Sequence, residues 1–198
     1  MLIGARVRAR AALLGCALGV LLDAGCGPGS TEPPLLSEQH GRSLSSPLRL
    51  GWLSSQRETG DLPSAIPLGG RRAGRVLVYL EFPEPEPGRS LVHAQLLLTP
   101  LESGGQAVDV ELSRADAARP ELRSWSDQPR ALYPRLGARV TPQAWPARID
   151  ITELVRARRK PGEPLRLLLR AEPSDGESVL IATGTSGGDA PQLELYYR

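Results

Sequence analysis

The sequence predicts an all-β fold, a jelly-roll-like β-sandwich with one short helix, preceded by a signal segment and a tether. Short runs of apolar and β-branched residues recur along the chain, and turn signals separate them in a protein with 21 glycines and 19 prolines among 198 residues. Only one brief stretch has a helical pattern. A series of short strands of this kind is typical of sandwiches and barrels rather than of α/β folds.

The first 25 residues have the layout of a secretory signal. Three arginines in the first ten residues precede an apolar run, Ala11–Leu22, which is shorter than the roughly 20 residues that span a bilayer. The sequence Leu22-Asp23-Ala24-Gly25-Cys26 resembles a bacterial lipobox, in which the cysteine is lipidated and becomes the new N-terminus. We therefore expect a lipoprotein signal peptide over residues 1–25 and lipidation of Cys26. An ordinary cleaved secretory signal is the alternative.

The cysteine count agrees with this expectation. Cys16 and Cys26 are the only cysteines, and a disulfide between them would join a removed segment to the processing site. We therefore expect no disulfide in the exported domain. Gly27 follows the cysteine, and by resemblance to Gram-negative lipoproteins this favours a lipid-anchored protein of the bacterial cell envelope, at the outer membrane.

The composition predicts where along the chain the folded domain begins. Residues 26–47 are rich in glycine, proline and serine and bury too little apolar surface to offset chain entropy, so this segment is predicted to be a flexible tether. The β-sandwich domain is predicted to occupy residues 48–198. The segment 48–74 should contain one or two short strands, and the long stretch 113–146 should contain one strand and a sizeable loop.

The remaining strands follow from apolar alternation and β-rich composition. They are predicted at Val76–Phe82, Leu91–Leu98, Gln106–Leu112, Arg148–Ile151, Leu165–Arg170, Ser178–Ala182 and Gln192–Tyr197. A short helix is predicted at Glu153–Arg159, with the hydroxyl of Thr152 as its cap. Pro161 and Gly162 then end it.

The order of these runs resembles the order found in one protein family. Arg75–Phe82 and Val92–Leu98 are followed by a loop with tryptophan, then by Ile149–Val155 and finally by Pro191–Tyr197. This series is similar to that of the DNRLRE domains, which resemble disaggregatase-related and polysaccharide-binding modules. The resemblance covers about residues 60–198. It implies a jelly-roll sandwich that acts as a carbohydrate-binding module of a bacterial lipoprotein.

Charge and motifs exclude several classes of function. The chain has 24 basic and 22 acidic residues, and the part after residue 25 has 21 of each, which argues against a generic nucleic-acid binder. The stretch Gly184–Gly188 matches G-x-S-x-G, but no histidine follows it in the chain, as a hydrolase triad of that type requires. His93 has no second histidine or cysteine near it in sequence. We therefore expect no catalytic residues, no metal and no cofactor.

One candidate ligand site combines aromatic and arginine side chains. Trp125, Tyr133 and Trp145 lie with Arg130 and Arg135 in the longest irregular stretch. Aromatic rings stack on sugar rings, and the planar donors of arginine match a carboxylate. These five residues are therefore the predicted ligand-binding residues, although Trp125 and Trp145 could instead fill the core.

These observations leave alternatives open for function. The first hypothesis is a non-catalytic, envelope-anchored lipoprotein whose sandwich binds extracellular or cell-wall polysaccharide. The alternative is a structural or assembly lipoprotein that binds another envelope protein. A polysaccharide hydrolase or lyase is the less favoured third hypothesis. In each case the lipid attaches the protein to a membrane, and no nucleic acid is an expected partner.

Overall fold

The fold is described from a computed structural model, which defines residues 41–56, 60–101, 106–116, 122–157, 162–176, 178–185 and 189–198. Antiparallel strands dominate these residues, so the predicted all-β sandwich is confirmed. In chain order the strands are β1 (Gly41–Ser45), β2 (Arg49–Ser54), β3 (Ala65–Leu68), β4 (Val76–Phe82), β5 (Leu91–Leu98), β6 (Val108–Ala115), β7 (Ala131–Val140), β8 (Ala147–Asp150), β9 (Leu165–Ala171), β10 (Val179–Ala182) and β11 (Gln192–Tyr197). A 3-10 turn (Trp125–Asp127) and one α-helix, α1 (Thr152–Arg156), complete the described elements.

The strands form two main sheets. One sheet has four strands in the order β1-β11-β5-β8, and the other has five in the order β2-β4-β9-β6-β7. A two-stranded ribbon of β3 and β10 adjoins the first sheet beyond the end of β5, through a bridge between Pro100 and Ile181. All strand pairs are antiparallel, as expected for a sandwich.

The main core lies between the two sheets. Alternate residues of each strand point inward, and they are mostly leucine, isoleucine and valine. In β5 the inward residues are Ala94, Leu96 and Leu98, and in β11 they are Leu193, Leu195 and Tyr197. Each fully buried Leu-sized side chain contributes about 1.5 to 3 kcal/mol, so stability can come from burial without a disulfide in this part of the chain.

A second, smaller hydrophobic cluster lies on the outer face of the five-stranded sheet. Its buried members are Leu53, Leu77, Tyr79, Ala115 and Leu168. The segment between β6 and β7 covers this face, with Leu122 and Trp125 packed against the cluster. Burial on both faces explains why every residue of β4 is buried.

The folded domain begins earlier in the chain than the sequence predicts. Residues 41–45 were predicted to belong to the tether, but they form β1 and pair with β11 over the register Gly41 to Tyr197. The predicted boundary at residue 48 is therefore wrong by at least seven residues. The composition missed this strand because backbone pairing and polar contacts hold it, and its one large apolar side chain, Leu44, is exposed.

The helix is shorter than predicted and is capped differently. It covers Thr152–Arg156 rather than Glu153–Arg159, whose last residues lie outside the described part. Thr152 is already helical, so its hydroxyl does not serve as the N-terminal cap. Instead, Asp150 Oδ1 accepts the backbone N–H of Thr152 at 2.9 Å.

Within the described ranges, no helix has both the length and the apolar character needed to cross a bilayer. The predicted signal segment, residues 1–25, and the predicted lipidation site, Cys26, lie outside those ranges.

Candidate functional site

Strand β7 forms the edge of the five-stranded sheet and carries most of the predicted site. Its residues alternate, with Leu136, Ala138 and Val140 turned toward the core and with Tyr133 and Arg135 exposed. Tyr133 is 78% exposed. The strand therefore presents an aromatic ring and a guanidinium group to solvent.

A cleft of about 500 Å³ lies between the start of β7, the segment that precedes it and the end of β9. We call it the arginine–tyrosine cleft. Its side chains include Tyr133, Arg130, Arg135, Arg170 and Asp116. Three of the five predicted ligand-binding residues thus line one cavity.

The three arginines are only weakly neutralised by carboxylates. Arg135 lies over the ring of Tyr133, with its central carbon 5.2 Å from the ring centre, and its Nη1 is 3.5 Å from Glu111 Oε1. The side chain of Arg130 makes no ion pair with any described residue, while its backbone N–H donates to Asp116 Oδ1 and its carbonyl accepts the N–H of Asp116, each at 3.1 Å. The cleft therefore has excess positive charge.

Sequence reasoning missed Arg170, the third arginine of the cleft. It lies on β9, 35 positions beyond Arg135, and its Nη2 donates to Gln128 Oε1 at 3.3 Å. Its Nε is buried and has no hydrogen-bond partner among the described residues. The register places Arg170 opposite Glu111, but no ion pair between them forms. Only the pairing of β9 with β6 brings Arg170 to this cleft, so no local signal could have identified it.

Trp125 supports the cleft rather than lining it. Its ring packs on the second hydrophobic cluster, and its carbonyl accepts the side-chain amide of Gln128 at 3.1 Å. Gln128 in turn holds Arg170. Of the two tryptophans that could have filled a core, Trp125 does so in part, against the outer face of the sheet.

Trp145 lies apart from this cleft. It is 69% exposed in the turn between β7 and β8, beyond Val140, whereas Tyr133 lies near the start of β7. The seven residue steps from Tyr133 to Val140 span roughly 23 Å of strand. The interpretation of Trp145 as a core residue is wrong, because its ring is in solvent, and the structure does not bring it to Tyr133.

A second polar cluster lies on the outer face of the four-stranded sheet, around His93. The Thr152 hydroxyl donates to Asp150 Oδ1 at 2.6 Å and accepts the N–H of Ala94 at 2.9 Å. Because that hydroxyl has one proton, His93 Nδ1, 3.1 Å away, acts as a donor to it, and His93 Nε2 accepts from the Gln95 amide at 2.9 Å. For Thr152 to act as a nucleophile, a base such as His93 would have to take the proton of its hydroxyl. That proton is donated to Asp150 instead, so His93 does not act as this base.

The hydrogen bonds continue from Gln95 to a buried carboxylate. Arg148 Nη1 donates to Gln95 Oε1 at 3.0 Å and to Glu194 Oε2 at 2.5 Å. Arg42 binds the other oxygen of Glu194, with its Nε at 2.6 Å. Glu194 alternates with the core residues Leu193 and Leu195, so it points outward, yet its side chain is 0% exposed because the arginines cover it.

Both carboxylates of this cluster are stabilised in the charged form. Burial raises the pKa of Glu194, but hydrogen bonds from Tyr196, Arg42 and Arg148 outweigh it and leave the pKa below its ordinary value. The side-chain and backbone hydrogen bonds of Thr152 lower the pKa of Asp150. The cluster is thus satisfied by its own members, unlike the arginine–tyrosine cleft.

Among the residues that the structure defines, no three histidine, cysteine, aspartate or glutamate side chains are grouped so that they could hold a metal ion. The arginine–tyrosine cleft brings an exposed aromatic ring and three arginines together in one cavity.

The comparisons with known proteins add no family. No protein-family model matches the chain, and no curated protein matches it.

Proposed function

We propose that this protein is a non-catalytic polysaccharide-binding lipoprotein of the bacterial cell envelope. In this proposal the β-sandwich presents the arginine–tyrosine cleft to the polymer, and a lipid on Cys26 anchors the chain, with the outer membrane favoured. One observation carries the proposal: an exposed Tyr133 ring lies in the same cleft as three arginines.

The chemistry of the cleft fits a sugar polymer. An exposed aromatic ring offers a flat apolar surface to the C–H face of a pyranose. Guanidinium groups supply several donors in a fixed plane for hydroxyl or carboxylate oxygens. The cleft is open rather than enclosed by the fold's core, since it lies at an edge strand, and a polymer could pass along it.

The rigidity of the cleft supports the same proposal. Tyr133 and Arg135 project from a strand, and Arg170 projects from the neighbouring part of the same sheet. The backbone of a paired strand is already ordered, so binding at these positions need not order a loop. Trp125 and Gln128 hold the covering segment against the sheet behind them.

Alanine substitution at Tyr133 tests the proposal. We expect Tyr133→Ala to weaken binding of the full-length protein on a glycan array of envelope polysaccharides by about tenfold, because loss of the ring contact removes roughly 1.4 kcal/mol. The unfolding midpoint should stay unchanged, since the ring is 78% exposed.

Trp145→Ala is the matched control, because it removes another exposed aromatic ring that lies away from the cleft. It should leave glycan binding unchanged. Equal binding by wild type and Tyr133→Ala would contradict the proposed site. Absence of any glycan binding, with capture of a defined protein from detergent-solubilised membranes, would favour the assembly lipoprotein instead.

A further inference from the structure

We infer that the arginine–tyrosine cleft selects a polysaccharide that carries carboxylate groups, a polymer of uronic acids rather than of neutral sugars. This inference rests on the proposed function and names the class of ligand. It follows from two arginines of the cleft, Arg130 and Arg170, which have no carboxylate partner among the described residues.

The cleft contains more arginines than are paired with carboxylates of the described residues. Elsewhere on this sheet, arginines face carboxylates across the strands, as Arg139 faces Asp109 at 3.8 Å and Arg166 faces Glu81 at 3.3 Å. In the cleft, Arg130 and Arg170 have no carboxylate partner among the described residues. The one carboxylate that lines the cleft, Asp116, is bound to the backbone N–H of Arg130.

The position of the arginines favours a carboxylate over a hydroxyl. Arg170 is held by Gln128, and its Nε is buried with no hydrogen-bond partner in the described part of the chain, so its charge lies in a site of reduced water access. A charge in such a site interacts more strongly with an opposite charge than it would in bulk water. Arg130 is exposed and free to close on the bound group with its planar fork.

Tyr133 places the sugar ring beside that charge. Its ring lies under Arg135 and lines the same cleft as Arg130. A uronate carries its carboxylate on the ring carbon next to the ring oxygen, so one residue can stack on tyrosine while its carboxylate reaches an arginine. A neutral sugar could stack on the tyrosine and offer a hydroxyl to the arginine, but it would lack the attraction between opposite charges.

The test compares polymers that differ only in charge. Full-length protein is titrated with polygalacturonate, alginate and hyaluronate, and with the carboxyl-reduced, neutral form of each. We expect at least one uronate polymer to bind ten times or more tightly than its reduced form, and we expect that preference to shrink as salt rises.

Three variants locate the effect. Arg130→Gln should remove most of the preference for the charged polymer, and Arg130→Lys should restore only part of it, because lysine keeps the charge without the planar fork. Arg139→Gln is the matched control on the same strand and outside the cleft, and it should bind like wild type.

The outcomes separate the two proposals. Equal binding of a charged polymer and its reduced form would overturn this inference and leave the proposed function in place. The inference would also be overturned if dextran sulfate bound as tightly as the uronate polymer or more tightly, and if Arg130→Lys weakened the binding of both polymers equally. Attraction to any anion would then explain the preference for the charged polymer. No binding to any polymer, charged or reduced, would contradict the proposed function itself.

Discussion

At the scale of single residues, the position of an aromatic side chain decides what it can do. Trp125, Tyr133 and Trp145 lie close together in sequence, but the structure gives them three different environments. Trp125 is half-buried behind the cleft, Tyr133 is exposed in it, and Trp145 is exposed beyond the far end of β7. Their separate effects on stability and binding follow from these environments.

Substitution of Trp125 should affect stability first. Trp125→Ala removes a ring that covers the second hydrophobic cluster, and a half-buried aromatic residue contributes about 2 kcal/mol there. We expect urea unfolding to show a loss of that size. A loss smaller than that of Trp145→Ala would contradict the packing described for Trp125.

The buried carboxylate of Glu194 should make stability depend on pH. Its folded pKa lies below its ordinary value, so the stabilisation is present above the unfolded pKa and is lost as pH falls through the folded pKa. Glu194→Gln should therefore cost about 1 to 3 kcal/mol near neutral pH. That difference from wild type should shrink as the pH falls below the ordinary range of a glutamate pKa and through the lowered folded pKa.

Urea unfolding of both proteins across that pH range measures this difference. Asp150, whose pKa is also lowered, is present in both proteins, so its contribution cancels in the comparison. A difference between wild type and Glu194→Gln that stays constant across the range would show that the charge of Glu194 does not stabilise the fold.

At the scale of elements, apolar strands could be predicted and polar ones could not. The predicted bounds of β4, β5 and β11 agree with the structure, because their apolar runs end at prolines, glycines or polar turns. Strand β1 left no such signal. Its Arg42 meets Glu194, a residue 152 positions away, and only the fold creates that contact.

Removing this contact should loosen β1. In Arg42→Ala we expect faster amide hydrogen exchange across Gly41–Ser45 and a loss of about 1 kcal/mol in stability, because the edge strand keeps only its backbone bonds to β11. Leu44→Ala is the control on the same strand, since Leu44 is half-exposed. Unchanged exchange in Arg42→Ala would mean that the ion pair does not hold β1.

The candidate site, like the strands, could be predicted from the sequence only in part. Tyr133, Arg130 and Arg135 were identified from local composition, and β7 brings them to one cleft. Arg170 and Gln128 were missed, because their roles depend on the pairing of β9 with β6 and on the segment that covers the sheet. Trp145 was included because closeness in sequence does not reveal the length of strand that separates it from Tyr133.

At the scale of the whole molecule, the two outer sheet faces differ in what they leave open. The four-stranded sheet carries a network in which Glu194, Arg148, Gln95, His93 and Thr152 satisfy one another. The five-stranded sheet is covered by a hydrophobic cluster and ends at a cleft in which Arg130 and Arg170 have no carboxylate partner among the residues the structure defines. We therefore propose that the ligand binds at one edge of the sandwich.

Mapping of the bound ligand by NMR tests this central claim most directly. Isotope-labelled protein would be titrated with oligosaccharides of the tightest-binding polymer, and amide shifts would be followed along the whole chain. The account predicts that the largest shifts occur at Arg130, Tyr133, Arg135 and Arg170, with little change around Trp145 or Glu194. Shifts concentrated on the four-stranded sheet, or at the Trp145 turn, would contradict it.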